Sequence, residues 1–252
     1  MATRWGICSA GLISNDFCSA LKSLPSSEHE VVAVAARQKE NAEKFAEKYG
    51  IPTAYGSYED LAKDPNVEIA YVGAIHPVHF KICMLLLEHG KHVLCEKPLT
   101  LTLQEAKDVI AKAKEKKLFF MEGFWTRFFP AVLRMQEEIQ AGNLGHINFL
   151  RANFCVPASS VQRLTKKEMG GGGLMDLGCY TVQYANLVFR EQPEKIIAVG
   201  DLTEEGVDRS GTVVLKYKGG SMAVLCYSFD NALGQNNITL YGSKGNLQVR
   251  TR

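Results

Sequence analysis

The chain has 252 residues, enough for one or two domains, and 46% hydrophobic against 22% charged side chains excludes a disordered chain. Its 29 basic and 27 acidic residues leave a net charge of +2, and no Lys/Arg run is dense enough for a nucleic-acid-binding stripe. No apolar run reaches membrane-spanning length and no signal-peptide pattern opens the chain, so the expected setting is cytoplasmic, with no membrane or nucleic-acid partner.

The first half alternates short apolar runs with helical patterns, the signature of βαβ units. Strands are predicted over 4–8, 31–36, 69–73, 92–95 and 119–122, and helices over 13–24, 39–49, 79–89 and 103–116. Gly50 and Gly90 follow two of these helices, where a glycine ends a helix cheaply. A further helix over 131–141 has Pro130 at its start. Strand-like runs follow at 147–154, 195–200, 211–217, 221–228, 237–241 and 246–250, interrupted by one helix over 173–189. The predicted fold is α/β: a doubly wound parallel sheet over 1–124, then an α+β domain with an open, mostly antiparallel sheet over 125–252. The seven cysteines are scattered without a Cys-x-x-Cys spacing, which fits buried reduced thiols better than a disulfide framework or zinc site.

Candidate chemistry begins at the first strand. Ser9-Ala10-Gly11-Leu12-Ile13-Ser14 is a strand-turn-helix junction that keeps only the middle glycine of G-x-G-x-x-G. That glycine lets backbone approach a pyrophosphate, and Ser9 is small enough to leave the site open. Arg37 ends the second strand, where an acid would take a ribose 2′-hydroxyl and an arginine suits a 2′-phosphate. It therefore argues for NADP, helped by Lys39; an exposed helix-start charge is the competing reading.

Ile75-His76-Pro77-Val78-His79 follows the strand 69–73. Pro77 restricts His76 to an extended conformation, and the turn is expected to line the cofactor, with His79 opening the next helix. No third ligand accompanies the two histidines, so no metal is expected. At the end of the strand 92–95, Glu96-Lys97-Pro98 reaches the sheet edge where ligands of parallel sheets bind. Lys97 is the principal catalytic candidate, because an ammonium beside a hydroxyl stabilises a developing alkoxide. Glu96 orients or pairs with it. Trp125 and Arg127, among aromatics at the domain junction, are candidates to close over a nicotinamide; interdomain packing is the alternative.

Asp176 and Tyr180 stand four apart on a predicted helix and share a face. A free phenol titrates near pH ~10 and is a poor base at neutrality, but a neighbouring lysine makes it a usable one. Without Lys97, Tyr180 reads as a core aromatic.

Together, the Gly11 turn, Glu96-Lys97-Pro98, Trp125-Thr126-Arg127-Phe128-Phe129-Pro130 and Asp176-Leu177-Gly178-Cys179-Tyr180 resemble the Gfo/Idh/MocA family of glucose-fructose oxidoreductases and inositol dehydrogenases. The resemblance spans the chain and is nearest to the vertebrate dihydrodiol-oxidising branch. It implies a Rossmann domain, oxidation of trans-1,2-dihydrobenzene-1,2-diols to catechols and of D-xylose at C1 with NADP, and a homodimer packed through the open second sheet. It implies Lys97 and Tyr180 as the catalytic pair, Asp176 as their support and Arg37 as the 2′-phosphate contact. Ser9 stands where many members have glycine. Family members also continue beyond the position of Arg252, so a shortened C-terminus is expected. A different sugar or inositol substrate, and a cofactor-binding regulator without turnover, are the rival functions.

Overall fold

The N-terminal apolar run forms β1 (Thr3–Cys8), the central strand of a sheet built by repeated strand-helix alternation. In the computed structural model, which describes residues 1–230 and 236–250, the chain divides into two units, Met1–Gly123 and Phe124–Arg252. Arg252 lies outside the described residues.

In the first unit the strands are β1, β2 (His29–Ala35), β3 (Thr53–Tyr55), β4 (Ile69–Val72), β5 (His92–Cys95) and β6 (Phe120–Glu122). The helices are α1 (Leu12–Leu21), α2 (Lys39–Tyr49), α3 (Tyr58–Lys63), α4 (His79–Glu88) and α5 (Leu103–Lys116). The strand order is β3-β2-β1-β4-β5-β6 with every neighbour parallel, the doubly wound arrangement of a Rossmann domain. All four residues of β4 are buried, as in a strand covered on both faces. Alternation sends Ile7, Val34 and Tyr71 into one core with Phe45 and Cys18, and Cys8, Ala35 and Val72 into another with Leu86 and Val109.

The helix ends follow local chemistry. Thr102 and Glu105 form a reciprocal capping box at α5, and Gly50 ends α2 at φ +70°. Helix α1 stops at Leu21 rather than at the expected 24, shortly ahead of Pro25. β3 and α3 are additional to the predicted elements. β3 is three residues long with no fully buried side chain, too little for a period to show. The Ser57 hydroxyl caps α3 by accepting the Asp60 amide at 3.1 Å.

The second unit contains α6 (Pro130–Gln140), β7 (Ile147–Cys155), the short α7 (Gln162–Thr165), a π-helical turn (Leu174–Gly178), α8 (Cys179–Phe189) and β8 (Lys195–Leu202). β9 (Asp208–Lys216), β10 (Met222–Ser228), β11 (Asn237–Gly242) and β12 (Asn246–Arg250) complete it. Its sheet runs β12-β11-β7-β10-β9-β8 and is antiparallel except for the β7–β10 pair. Leu150, Leu225 and Leu240 from the sheet pack with Met135 of α6 and Tyr184 and Leu187 of α8. Every residue of β8 is exposed, including Ile196, Ile197 and Val199. The expected helix over 173–189 starts as the π turn, a single-turn irregularity of the kind found at functional sites.

Candidate active site

In the first unit the strand order reverses at β1 and β4, so the turns leaving their carboxyl ends open a crevice there. Backbone bonds lace those turns together: Ser9 N donates to Ala35 O at 2.8 Å, Gly73 N to Cys8 O at 3.0 Å, and Glu96 N to Val72 O at 3.0 Å. A Cβ built on Gly11 would meet nothing nearer than the Ser9 Oγ at 3.6 Å, so packing does not demand glycine there. What the missing side chain leaves is room for a ligand against the backbone. No side chain caps α1 and no acid occupies its first turn, leaving the Leu12 and Ile13 amides for an anion. These features fit a dinucleotide pyrophosphate.

Ser9 keeps φ +91°, a region that favours glycine, although it carries a Cβ. The Tyr58 hydroxyl is hydrogen-bonded to Ser9; burial holds that phenol above its ordinary range, and the Arg37 guanidinium opposes the shift. Ser9, Arg37 and Tyr58 line two adjoining cavities of about 340 and 470 Å³, the first continuing along Ile75 and Val78, the second along Gly11 and Asn41. Lys39 points instead to Glu43, at 3.7 Å.

Ile75 is the extended residue of its turn (φ −70°, ψ 142°), whereas His76 opens a 3₁₀ turn. The restriction that Pro77 was expected to place on His76 is overridden by this local turn. His79 begins α4 and is buried, with Nδ1 3.0 Å from Pro98 O and Nε2 2.8 Å from Ala74 O. It braces the turn after β4 against the turn after β5. Burial lowers its pKa, so the neutral ring is favoured.

Lys97 is half-buried at the end of β5, and its peptide bond to Pro98 is cis. Glu96 accepts the Tyr71 hydroxyl at 2.7 Å and the Lys97 amide at 3.2 Å, and Tyr71 is itself stacked on Phe17 at 3.9 Å. Glu122, at the end of β6, accepts the Leu99 amide at 2.8 Å. Burial holds both carboxyls above the usual range, while the Lys97 charge pulls them down. Two carboxylates thus grip the backbone on either side of Lys97.

In the second unit Tyr180 lies in the first turn of α8 and is 7% exposed. Its hydroxyl accepts the Trp125 indole N–H at 3.0 Å. Phe124 and Phe154 meet its ring nearly perpendicularly, at centroid distances of 5.6 and 5.2 Å. Tyr180, Trp125, Phe129, Phe154 and Tyr184 line a largely apolar cavity of about 140 Å³, with Asn153 supplying an amide. Asp176 is buried in the π turn, and Arg163 grips it with Nη1 at 2.5 Å from Oδ1 and Nη2 at 3.3 Å from Oδ2. Arg127 is exposed on the 3₁₀ turn Trp125–Phe128. The glycine within Asp176–Tyr180 has a packing reason: a Cβ on Gly178 would sit 2.9 Å from the Tyr227 ring.

Within the first unit, then, the turns of Ser9–Ile13, Arg37, Ile75–His79 and Glu96–Lys97 stand at one sheet edge. Within the second, Trp125 and Tyr180 are in contact and Asp176 lies one turn earlier. Sequence reading missed Tyr58, Glu122 and Arg163. The Ser57 cap and the strand ending at Glu122 were usable signals for the first two; Arg163 has none, since nothing local ties it to Asp176. Among the described residues, no group of three or more His, Cys, Asp or Glu side chains is placed to hold a metal, and no helix is long and apolar enough to cross a membrane.

Residues 3–124 match the Gfo/Idh/MocA oxidoreductase family with its NAD-binding Rossmann fold, and residues 132–248 match the C-terminal domain of that family. The chain is similar to trans-1,2-dihydrobenzene-1,2-diol dehydrogenase of Xenopus tropicalis, 47% identical over 250 residues that cover 99% of this chain and 76% of the relative. The enzyme of that name from Mus musculus is 49% identical over 251 residues, covering 99% and 75%. Among solved structures, a 3-ketoreductase from Actinomadura kijaniata in complex with NADP and TDP-benzene superposes with a TM-score of 0.89 at 28% identity, covering 99% of this chain and 77% of that one. The chain belongs to the Gfo/Idh/MocA family and is an oxidoreductase that acts on CH–OH groups with a nicotinamide dinucleotide.

Proposed function

We propose that this protein oxidises trans-1,2-dihydrobenzene-1,2-diols to catechols, and D-xylose at C1, with NADP as the oxidant. The observation that carries the reading is the apolar, aromatic-lined cavity onto which Tyr180 opens, a setting for a flat ring bearing a reactive hydroxyl. When bound, the nicotinamide supplies the acceptor for a hydride leaving the carbinol carbon. The phosphates rest on the Gly11 turn and the amides of Leu12 and Ile13, and Arg37 takes the 2′-phosphate. Ile75, His76 and His79 belong to the turn that follows the cofactor, Glu96 orients Lys97, and Trp125 and Arg127 shield the nicotinamide.

Tyr180 takes the proton from the substrate hydroxyl, and Lys97 holds that oxygen as negative charge develops. Asp176, fixed by Arg163, supports Tyr180. The working form is a cytoplasmic homodimer joined through the open face of the second sheet, a role that the exposed apolar residues of β8 suit.

Steady-state rates with a benzene dihydrodiol and with D-xylose, each with NADP+ and with NAD+, test the reading. Turnover of both substrates with a preference for NADP+ is expected. Oxidation of an inositol or hexose alone would move the substrate assignment, and NADPH binding without any oxidation would make the protein a regulator.

A further inference from the structure

We propose that Trp125 is a positioning residue for Tyr180: its indole N–H holds the phenol oxygen in one orientation and favours the phenolate. This inference rests on the reading of Tyr180 as proton acceptor and adds a residue that sets how well it does so.

The direction of the bond is unambiguous, because an indole nitrogen only donates. With Trp125 Nε1 3.0 Å from the Tyr180 hydroxyl, one lone pair of that oxygen is taken and its own proton must point elsewhere. A donor to a phenolate forms a charge-assisted bond, roughly twice as strong as the bond to the neutral hydroxyl. The contact therefore stabilises the ionised form more than the neutral one.

Burial does not account for Trp125. Its side chain is 55% exposed, yet the polar edge of the ring is turned inward to Tyr180. The preceding residue, Phe124, meets the Tyr180 ring edge-on, so two consecutive residues fix the ring and the oxygen of one tyrosine. Trp125 is steadied in turn by Phe129, at a centroid distance of 5.9 Å. Among the described residues of the second unit, Asp176, paired with Arg163, lies one turn before Tyr180 and Tyr184 one turn after it; Arg127, on the Trp125 turn, is exposed.

Trp125→Phe keeps an aromatic ring against Phe129 and deletes the donor. In oxidation the rate rises with pH as Tyr180 loses its proton. The acidic limb of the kcat profile in W125F is therefore expected about one pH unit higher, a roughly tenfold loss near neutrality that higher pH restores. KM is expected to move less than kcat. A loss of equal size at every pH would reduce Trp125 to a packing role.

A second readout needs no turnover. The chain has two tryptophans, and Trp5 donates to His29 at 3.2 Å, so two indole N–H signals are expected in a 15N spectrum. The Trp125 signal should shift in step with the ionisation of Tyr180, followed through a 13C label at Cζ, and should lose that response in Tyr180→Phe. An indole signal indifferent to pH would overturn the inference, whether or not W125F folds. Near-normal turnover by Y180F would instead remove the catalytic reading while leaving the indole titration interpretable.

Discussion

Gly11 and Gly178 both sit in turns that lead into a helix, yet their surroundings are opposite. A Cβ on Gly11 would rest at ordinary contact distances, the closest atom being 3.6 Å away. A Cβ on Gly178 would lie 2.9 Å from both the Tyr227 ring and Leu174. The first unit leaves backbone bare at this turn; the second uses the missing side chain to seat its own aromatic ring. At Gly11 the backbone stays open, at Gly178 the space is taken by a neighbouring ring, and Tyr180 nearby is fixed by Trp125, Phe124 and Phe154.

That contrast breaks most clearly at Gly11. Gly11→Val fits the extended backbone there (φ −87°, ψ −178°) but occupies the approach proposed for the pyrophosphate. NADPH affinity should fall by about a hundredfold or more while stability stays within about 0.5 kcal/mol of the parent, as read by fluorescence titration and thermal melts. Equal losses of both would show that the fold, not the ligand, demands glycine. Gly178→Ala should behave in the opposite sense, losing about 1–3 kcal/mol from overpacking against Tyr227, or roughly 2–4 °C in Tm per kcal/mol. If Arg37 takes the 2′-phosphate as proposed, Arg37→Ala should weaken NADP+ by about tenfold or more and leave NAD+ nearly unchanged.

The smallest expected effect is on stability against pH in the first unit. Burial lowers the pKa of His79, so below about 6.5 the unfolded chain binds a proton that the native ring resists. Its contribution is present above that pH and fades as pH falls through it. Glu96 and Glu122 have the opposite sign. Their raised pKa values favour the native state below the ordinary carboxylate value of 4.5, and that advantage is lost as pH rises through the folded values. Glu122→Gln keeps an acceptor for the Leu99 amide and should flatten the second slope. His79→Gln should flatten the first, in melts recorded from pH 4 to 7.

Much of this architecture was readable because it is local. The strand Ile69–Val72 is a continuous buried apolar run, Val93, Leu94 and Cys95 form a second apolar run with Val93 and Cys95 buried, and Gly50 carries the left-handed helix end that its position suggested. Glu96-Lys97-Pro98 stood out because a charged turn follows directly on such a strand. The unread parts depend on partners distant in sequence. The parallel β7–β10 pairing joins segments some seventy residues apart, Met222 facing Phe149, with no turn to announce it. Arg163 gains meaning only from Asp176, and the bond from Trp125 to Tyr180, 55 positions away, has no local signal. The π turn breaks the helical period that placed Asp176 and Tyr180 on one continuous helix.

The reading of Tyr180 and Lys97 as the groups that handle the substrate proton is tested most directly by paired kinetics of Tyr180→Phe and Lys97→Met. Both variants should bind NADPH as the parent does and oxidise a benzene dihydrodiol about 10²–10⁴-fold more slowly. A variant of either residue that binds NADPH normally and turns over at close to the parental rate would contradict it.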